Sequence, residues 1–406
     1  MLTSTSVHAG HATTARWVQT IKGAALRELF PLVKRADVTS FAFGLPAAEL
    51  LPLKDCAAAS SRVLSLDPRA LQYQLPPESL KIHIQRLLAS RGVNCRPDQI
   101  FLTAGAQQAT HSLVNLFLEQ RGQVIVEEVA YEGLQTALTP LQPEILAVAS
   151  GMESGMDLDA VESHLVRGAR PAFIYAITDG HNPLSLSLSQ ASRIRLVEMA
   201  RRFRIPILED DVFGFLNYDG PALPPMRALD EEWVFYIGSL SKTLAPALRI
   251  GWIVAPDAFR PALSFLKQSN DLDITTLSQL TVSSYLDTGV FPSHLATLRR
   301  EYGKRRDDML NALKAHFPLE AQWRKPTCGM FIWVELPPEI DTIDLLRMAV
   351  KTEQVAFMPG AIFAMSGNRG ARNGIRLNFT HCPVEQIEPG VARLARVLKR
   401  FMKPSH

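Results

Sequence analysis

From about Pro97 the chain alternates short apolar runs rich in β-formers with longer amphipathic patterns. That alternation restricts the available folds more than any other feature. The runs cover residues 99–103, 123–126, 172–177, 205–208, 234–237 and 250–255. Between them, residues 107–119 place Ala109, Leu113, Leu116 and Phe117 on one face, and residues 189–202 read as a second helix. Strands alternating with helices imply βαβ units, hence an α/β domain with a mostly parallel sheet flanked by helices. Ligands of such sheets sit at the carboxyl ends of the strands, so residues just after each run are expected to converge.

The flanks of this region read differently. Residues 1–20 are rich in Ser, Thr, His and Ala, and residues 21–34 form an amphipathic helical pattern. Ser40-Phe-Ala-Phe-Gly-Leu-Pro46 looks like an extended approach to a site, where Gly44 permits close contact between backbone and ligand. Helical character returns over 291–316, punctuated by His294, Arg299, Tyr302, Arg305 and Arg306. It connects to a smaller α+β C-terminal domain with strands at 329–336 and 374–379 and a closing helix over 384–402. The expected division is a leader and arm over 1–50, a large domain over 51–290, and a connector helix with the small domain over 291–406.

Composition excludes several classes. A chain of 406 residues, 47% hydrophobic and 20% charged, fills a large core in two associated domains. A formal net charge of +3 without a basic run gives no reason to expect nucleic acid. Cys56, Cys95, Cys328 and Cys382 lack metal-ligand spacing and fit a reducing compartment. The first residues lack a signal-peptide core, and no run approaches about 18 apolar residues. A soluble cytoplasmic protein without a membrane partner is expected.

The chemistry concentrates in Ser239-Leu-Ser241-Lys242-Thr-Leu-Ala-Pro246-Ala-Leu-Arg249, held between two of the apolar runs. Desolvating a lysine ammonium lowers its pKa, and a neutral amine can attack an aldehyde to form a Schiff base. Hydroxyls and a guanidinium nearby suit a phosphate, which Arg binds through two donors. A solvated surface loop explains Lys242 taken alone, but not the whole string. The residues therefore point to pyridoxal phosphate anchored on Lys242, with Ser239, Ser241 and Arg249 on its phosphate.

Ser-x-Ser-Lys-x-x-x-Pro-x-x-Arg-x-Gly resembles the lysine motif of fold-type I pyridoxal-phosphate enzymes. Within them the chain is similar to the class I/II aminotransferases, especially the 2-aminoadipate and kynurenine aminotransferase branch, from about Ala25 onward. The resemblance implies roles for residues that follow the runs. Ala106 and Gln107, in a Gly-containing turn at a helix start, would donate to the phosphate. Tyr131 would pack on the ring, the alternative being a half-buried core tyrosine. Asn182 of Asn182-Pro183 would bind the phenolic oxygen. Asp210, rather than its neighbour Asp211, would pair with the pyridinium nitrogen and keep the ring an electron sink. Arg376 would receive the substrate α-carboxylate. Gly44 would lie over the substrate, and Arg27 would face its far end. Tyr73 would reach the phosphate of a neighbouring subunit in a homodimer.

Departures accompany the match. Leu184-Ser185 stands where Thr-Gly is usual, and Phe213 where a Tyr hydroxyl contacts the phenolic oxygen. Gln74-Leu-Pro-Pro-Glu78 replaces a glycine-rich continuation, and His181 has an open role. The implied reaction moves an amino group between an α-amino acid and a 2-oxo acid, with Lys242 as general base. Rival readings are elimination, decarboxylation-linked or oxidase chemistry on the same scaffold, and a protein without cofactor. A ligand-sensing regulator module is a further rival, although a module starting near residue 25 leaves no room for its winged helix. For the substrate, Arg27 suggests a dicarboxylic or polar side chain, and Phe41, Phe43 and Phe363 an aromatic one.

Overall fold

The computed structural model describes residues 14–15, 17–18, 31–35, 37–151, 155–365 and 371–402. Strand β1 (Thr39–Ser40) and helices α1 (Leu53–Leu66) and α2 (Glu78–Ala89) precede the central sheet. The alternation then runs β2 (Ile100–Thr103), α3 (Ala106–Phe117), β3 (Gln123–Glu127), α4 (Glu132–Leu138), β4 (Glu144–Val148) and α5 (Leu158–Val166). It continues through β5 (Ile174–Ile177), α6 (Gln190–Phe203), β6 (Ile207–Asp210), β7 (Val234–Ser239) and β8 (Gly251–Val254).

These strands form one seven-stranded sheet in the order β2-β8-β7-β6-β5-β3-β4. The pairs β3–β4, β3–β5, β5–β6 and β6–β7 are parallel, while β8 runs antiparallel to β2 and β7. Every residue of β5, β6, β7 and β8 is buried. Helices on both faces therefore cover the Val and Ile side chains, each contributing about 1.5–3 kcal/mol on full burial. The helix between β5 and β6 starts where the sequence supplies a cap: the Ser189 hydroxyl accepts from the Ser192 amide. It stops at Arg204, in the left-handed conformation at φ 57°.

Beyond the sheet come α7 (Arg260–Asp271), α8 (Thr276–Asp287) and the long α9 (Phe291–His316). The C-terminal layer contains β9 (Gln322–Trp323), β10 (Phe331–Glu335), α10 (Thr342–Glu353), β11 (Val355–Ala356), β12 (Met358–Pro359), β13 (Gly374–Asn378) and α11 (Val384–Phe401). Its four-stranded antiparallel sheet has the order β9-β10-β13-β12. Helix α9 ties the segments together through polar side chains. Tyr302 Oη accepts from the Ala47 amide at 3.0 Å, and Arg305 donates to the Thr380 carbonyl at 2.6 Å. β1 pairs in parallel with β11, so the approach segment 41–47 is held against the C-terminal layer. The helix expected over 21–34 lies largely outside the described residues, and Arg27 with it. Among the described residues no helix is long and apolar enough to cross a membrane. No metal-binding group of His, Cys, Asp or Glu occurs among them either.

Candidate active site

The carboxyl ends of β2, β3, β5, β6 and β7 open onto one pocket. Its lining includes Ala106, Gln107, Tyr131, Asn182, Asp210, Ser239, Ser241, Lys242, Arg249, Gly44 and Arg376. The expected convergence is thus observed, and the residues arrive from seven different segments of chain.

Lys242 follows the last residue of β7 by a short turn and donates through Nζ to the Gly44 carbonyl at 2.7 Å. Burial, helped by the neighbouring Arg376 cation, pulls its pKa down to about 8. A substantial share of neutral amine therefore exists near neutral pH. The Gly44 backbone, expected to approach a ligand, here meets the lysine itself.

One end of the pocket is built for an anion. Helix α3 begins at Gly105, whose φ of 82° and ψ of 173° suit glycine, and no side chain caps it. The amides of Ala106 and Gln107 are therefore first-turn donors at a positive dipole end. Ser239 Oγ lies 3.0 Å from Ser241 Oγ and also accepts from the Ser241 amide at 3.1 Å. Arg249, itself left-handed at φ 54°, places Nη2 2.6 Å from the Ala104 carbonyl.

The same pocket carries a buried carboxylate. Asp210 closes β6 at 4% exposure, and the Tyr175 hydroxyl donates to its Oδ2 at 2.6 Å. Its Oδ1 is buried without a partner among the described residues. Burial raises its pKa to about 6 against the lowering effect of the Tyr175 hydrogen bond. Asp211 points the other way, accepting from Arg91 at 2.5 Å and from the Tyr236 hydroxyl at 2.9 Å. Strand alternation thus separates the two neighbours: Asp210 serves the pocket and Asp211 a buried charge network with Arg91, Asp179 and Arg193.

Arg376, central in β13 and 2% exposed, donates to Asn182 Oδ1 at 2.6 Å and to the Ala42 carbonyl at 2.8 Å. Its guanidinium lies over Phe331 and Phe363, 4.1 and 4.8 Å from the ring centroids. Desolvation lowers its pKa to about 10. Since Asn182 Oδ1 accepts from Arg376, its amide nitrogen remains as the donor toward a ligand. Phe213 packs edge-on against Phe331 at 5.8 Å, so the replaced tyrosine adds an apolar wall where the family has a hydroxyl.

Some expectations are corrected here. Phe41 and Phe363 are fully buried and Phe43 lies in a separate groove, so none of the three lines the pocket and they form no aromatic substrate wall. Phe363 instead supports Arg376. His181 is also outside the lining: its Nε2 lies 3.0 Å from Glu127 Oε2, while Nδ1 accepts from the Leu184 amide. Ser185 takes φ 62° where the family's glycine would be relaxed. Tyr73 is 86% exposed and does not reach this chain's pocket. Sequence reasoning passed over Tyr175, whose hydroxyl in an otherwise aliphatic buried run needs a partner. It also passed over Phe331 and Glu132, both in the lining.

Comparison with known proteins agrees with this geometry. Residues 38–394 match the family model described as aminotransferase class I and II. The chain belongs to the class I and II aminotransferases, and so is a pyridoxal-phosphate-dependent enzyme that moves an amino group between an amino acid and an oxo acid. It is 35% identical to aromatic-amino-acid aminotransferase 1 of Thermococcus litoralis, over 94% of this chain and 93% of that one. With the 2-aminoadipate transaminase of Thermus thermophilus it shares 36% identity, over 94% and 95% of the two chains. The kynurenine aminotransferase of Pyrococcus horikoshii, solved with PMP, superposes with a TM-score of 0.90 at 31% identity, covering 96% of this chain and 98% of that one.

Proposed function

We propose that this pocket carries out transamination of α-amino acids with Lys242 as the covalent anchor and proton carrier. The observation that carries the reading is that the depressed Lys242 amine and the unpartnered Asp210 Oδ1 line one cavity with an anion cradle between Gly105 and Arg249. Pyridoxal phosphate fits these residues: the cradle takes a phosphate, Asp210 a protonated ring nitrogen, and the Lys242 amine an aldehyde.

When bound, the cofactor supplies an aldehyde for amines and a ring that accepts electrons from the substrate Cα. Ala106, Gln107, Ser239, Ser241 and Arg249 hold the phosphate. Asp210, oriented by Tyr175, keeps a proton on the ring nitrogen. Tyr131 and Asn182 fix the ring plane and its phenolic oxygen. Arg376, pinned by Asn182 and Ala42 and backed by two aromatic rings, presents donors to the α-carboxylate. Lys242 Nζ then removes the Cα proton as general base. Gly44 covers the substrate; Arg27, expected at its far end, lies outside the described residues and is given no role in this reading.

The working unit in this reading is a cytoplasmic homodimer with small-molecule substrates only. Leu71, Tyr73 and Leu75 are exposed side by side, a patch that a second copy would cover, bringing Tyr73 to the partner's phosphate. An arm over 1–50, a cofactor domain over 51–290 and a small domain over 291–406 complete it. The test is a stoichiometric half-reaction. Holoenzyme mixed with an amino acid, without acceptor, should convert its absorbance to that of pyridoxamine phosphate and release one equivalent of 2-oxo acid. Oxygen uptake or carbon dioxide release in place of that conversion would instead favour the rival chemistries.

A further inference from the structure

The transaminase reading assigns a partner to every charged side chain in the pocket except one. The charged lining residues are Glu132, Asp210, Lys242, Arg249 and Arg376. Asp210 serves the ring nitrogen, Arg249 the phosphate, Lys242 the aldehyde and Arg376 the α-carboxylate. Glu132 serves none of these. It is the first residue of α4, directly after the ring-facing Tyr131, and its Oε2 is buried without a hydrogen-bond partner among the described residues. The neighbouring Lys242 and Arg376 charges offset part of the cost of holding that oxygen out of water, but once these two engage the cofactor aldehyde and the substrate carboxylate no lining cation is left to it. An acid that merely favoured the helix dipole would do so as well in solvent.

We infer that Glu132 determines donor specificity: its carboxylate receives a cationic group on the side chain of the amino donor. The preferred donors are therefore diamino or guanidino acids, with the α-carboxylate on Arg376 and the distal cation on Glu132. This rests on the transaminase reading and names its substrate class. Among the aromatic rings in the lining, Tyr131 is given to the cofactor ring, Phe331 supports Arg376 and Phe213 packs edge-on against Phe331. Acidic donors meet the Glu132 charge and aromatic ones gain nothing from it. The chain thereby parts from the aromatic and 2-aminoadipate enzymes it resembles.

The test compares half-reaction rates of the holoenzyme with ornithine, glutamate, phenylalanine and alanine, in wild type, Glu132→Gln and Glu132→Asp. A second readout is spectral titration with α-methylornithine and α-methylphenylalanine, which have no Cα proton to lose. Wild type should favour ornithine. Glu132→Gln should lower the ornithine-to-alanine rate ratio, and the affinity for α-methylornithine relative to α-methylphenylalanine, about 10- to 100-fold, the effect of one charge-assisted hydrogen bond. Glu132→Asp should keep part of the preference. An equal fall for all donors would place Glu132 on the α-amino group and overturn the proposal. An unchanged ornithine-to-alanine ratio, or a wild type indifferent to side-chain charge, would overturn it as well. A holoenzyme whose cofactor spectrum no amino acid alters overturns the transaminase reading itself, and this proposal with it.

Discussion

The Tyr175 hydroxyl donates to Asp210 Oδ2 at 2.6 Å, while Oδ1 of this pocket-lining residue is buried without a partner among the described residues. The phenol fixes the carboxylate's orientation and leaves one oxygen free for the ring nitrogen that the proposed function would place there. The cost falls on the protein without cofactor. Burial has raised the Asp210 pKa to about 6 from 3.8, so between those values the folded state holds a proton that the unfolded chain has lost. The group's contribution to stability is therefore full below about pH 4 and disappears as pH rises through 6. Asp210→Asn removes that loss. The apoenzyme variant should be more stable at pH 8 by about 1–3 kcal/mol in urea denaturation. Its cofactor affinity and turnover should fall by at least about 10-fold. An apoenzyme no more stable than wild type at pH 8 would show that the carboxylate is better solvated than its surroundings indicate.

Lys242 gives a prediction about reactivity rather than stability. With the amine held at a pKa of about 8, the neutral form gains ground as pH rises through 8, not through 10.5. Trapping of apoenzyme by pyridoxal phosphate and borohydride, read by intact mass, should follow that midpoint. Lys242→Ala should bind the cofactor without a borohydride-stable adduct and without turnover. A midpoint above pH 10 would place the amine in water.

Much of this was legible in the sequence, and the exceptions have physical causes. The runs ending at Ile177 and Ile237 announced β5 and β7, because buried strands need unbroken Val, Ile and Phe. The run ending at Leu208 undershot, since β6 continues through Glu209 and Asp210. Apolarity does not signal that extension: the buried Glu209 accepts from the Met226 and Arg227 amides and the Thr178 hydroxyl, all remote in sequence. The direction of β8 left no trace either, because an apolar run has no polarity. β4 was missed as a half-exposed edge strand. In the site, motif spacing pointed to Lys242, Arg249, Asp210 and Arg376, and the structure brings these four to one pocket. The supports of Arg376 were hidden. Phe331 and Phe363 meet it only after the C-terminal sheet folds, and a buried Phe resembles a substrate-facing one in sequence.

Arg376 tests how far that support matters. Lysine at 376 keeps the charge but loses the fork that spans Asn182 and Ala42 while facing a carboxylate. Arg376→Lys should lower kcat/KM by about 10- to 100-fold for every α-amino acid, the loss of one charge-assisted hydrogen bond. Competition by simple 2-oxo acids should weaken in parallel. A defect confined to one class of side chain would contradict the assignment to the α-carboxylate.

Gly105 offers the sharpest test of the anion cradle. Its φ of 82° with ψ of 173° is a region occupied almost only by glycine, and a Cβ there would sit 2.6 Å from Arg249 Nη2 and 3.0 Å from Cζ. Two costs are thus superposed: backbone strain of about 1–3 kcal/mol, and displacement of the guanidinium. They separate in a double-mutant cycle. Gly105→Ala should destabilise the apoenzyme by about 1–3 kcal/mol in either background, because the strain is local. In the wild-type background it should also weaken cofactor phosphate binding about 10-fold or more, whereas with Arg249→Ala already present that added loss should shrink to within about 2-fold. Equal losses of cofactor affinity in both backgrounds would mean that the close approach of Gly105 and Arg249 does not position the guanidinium for the phosphate.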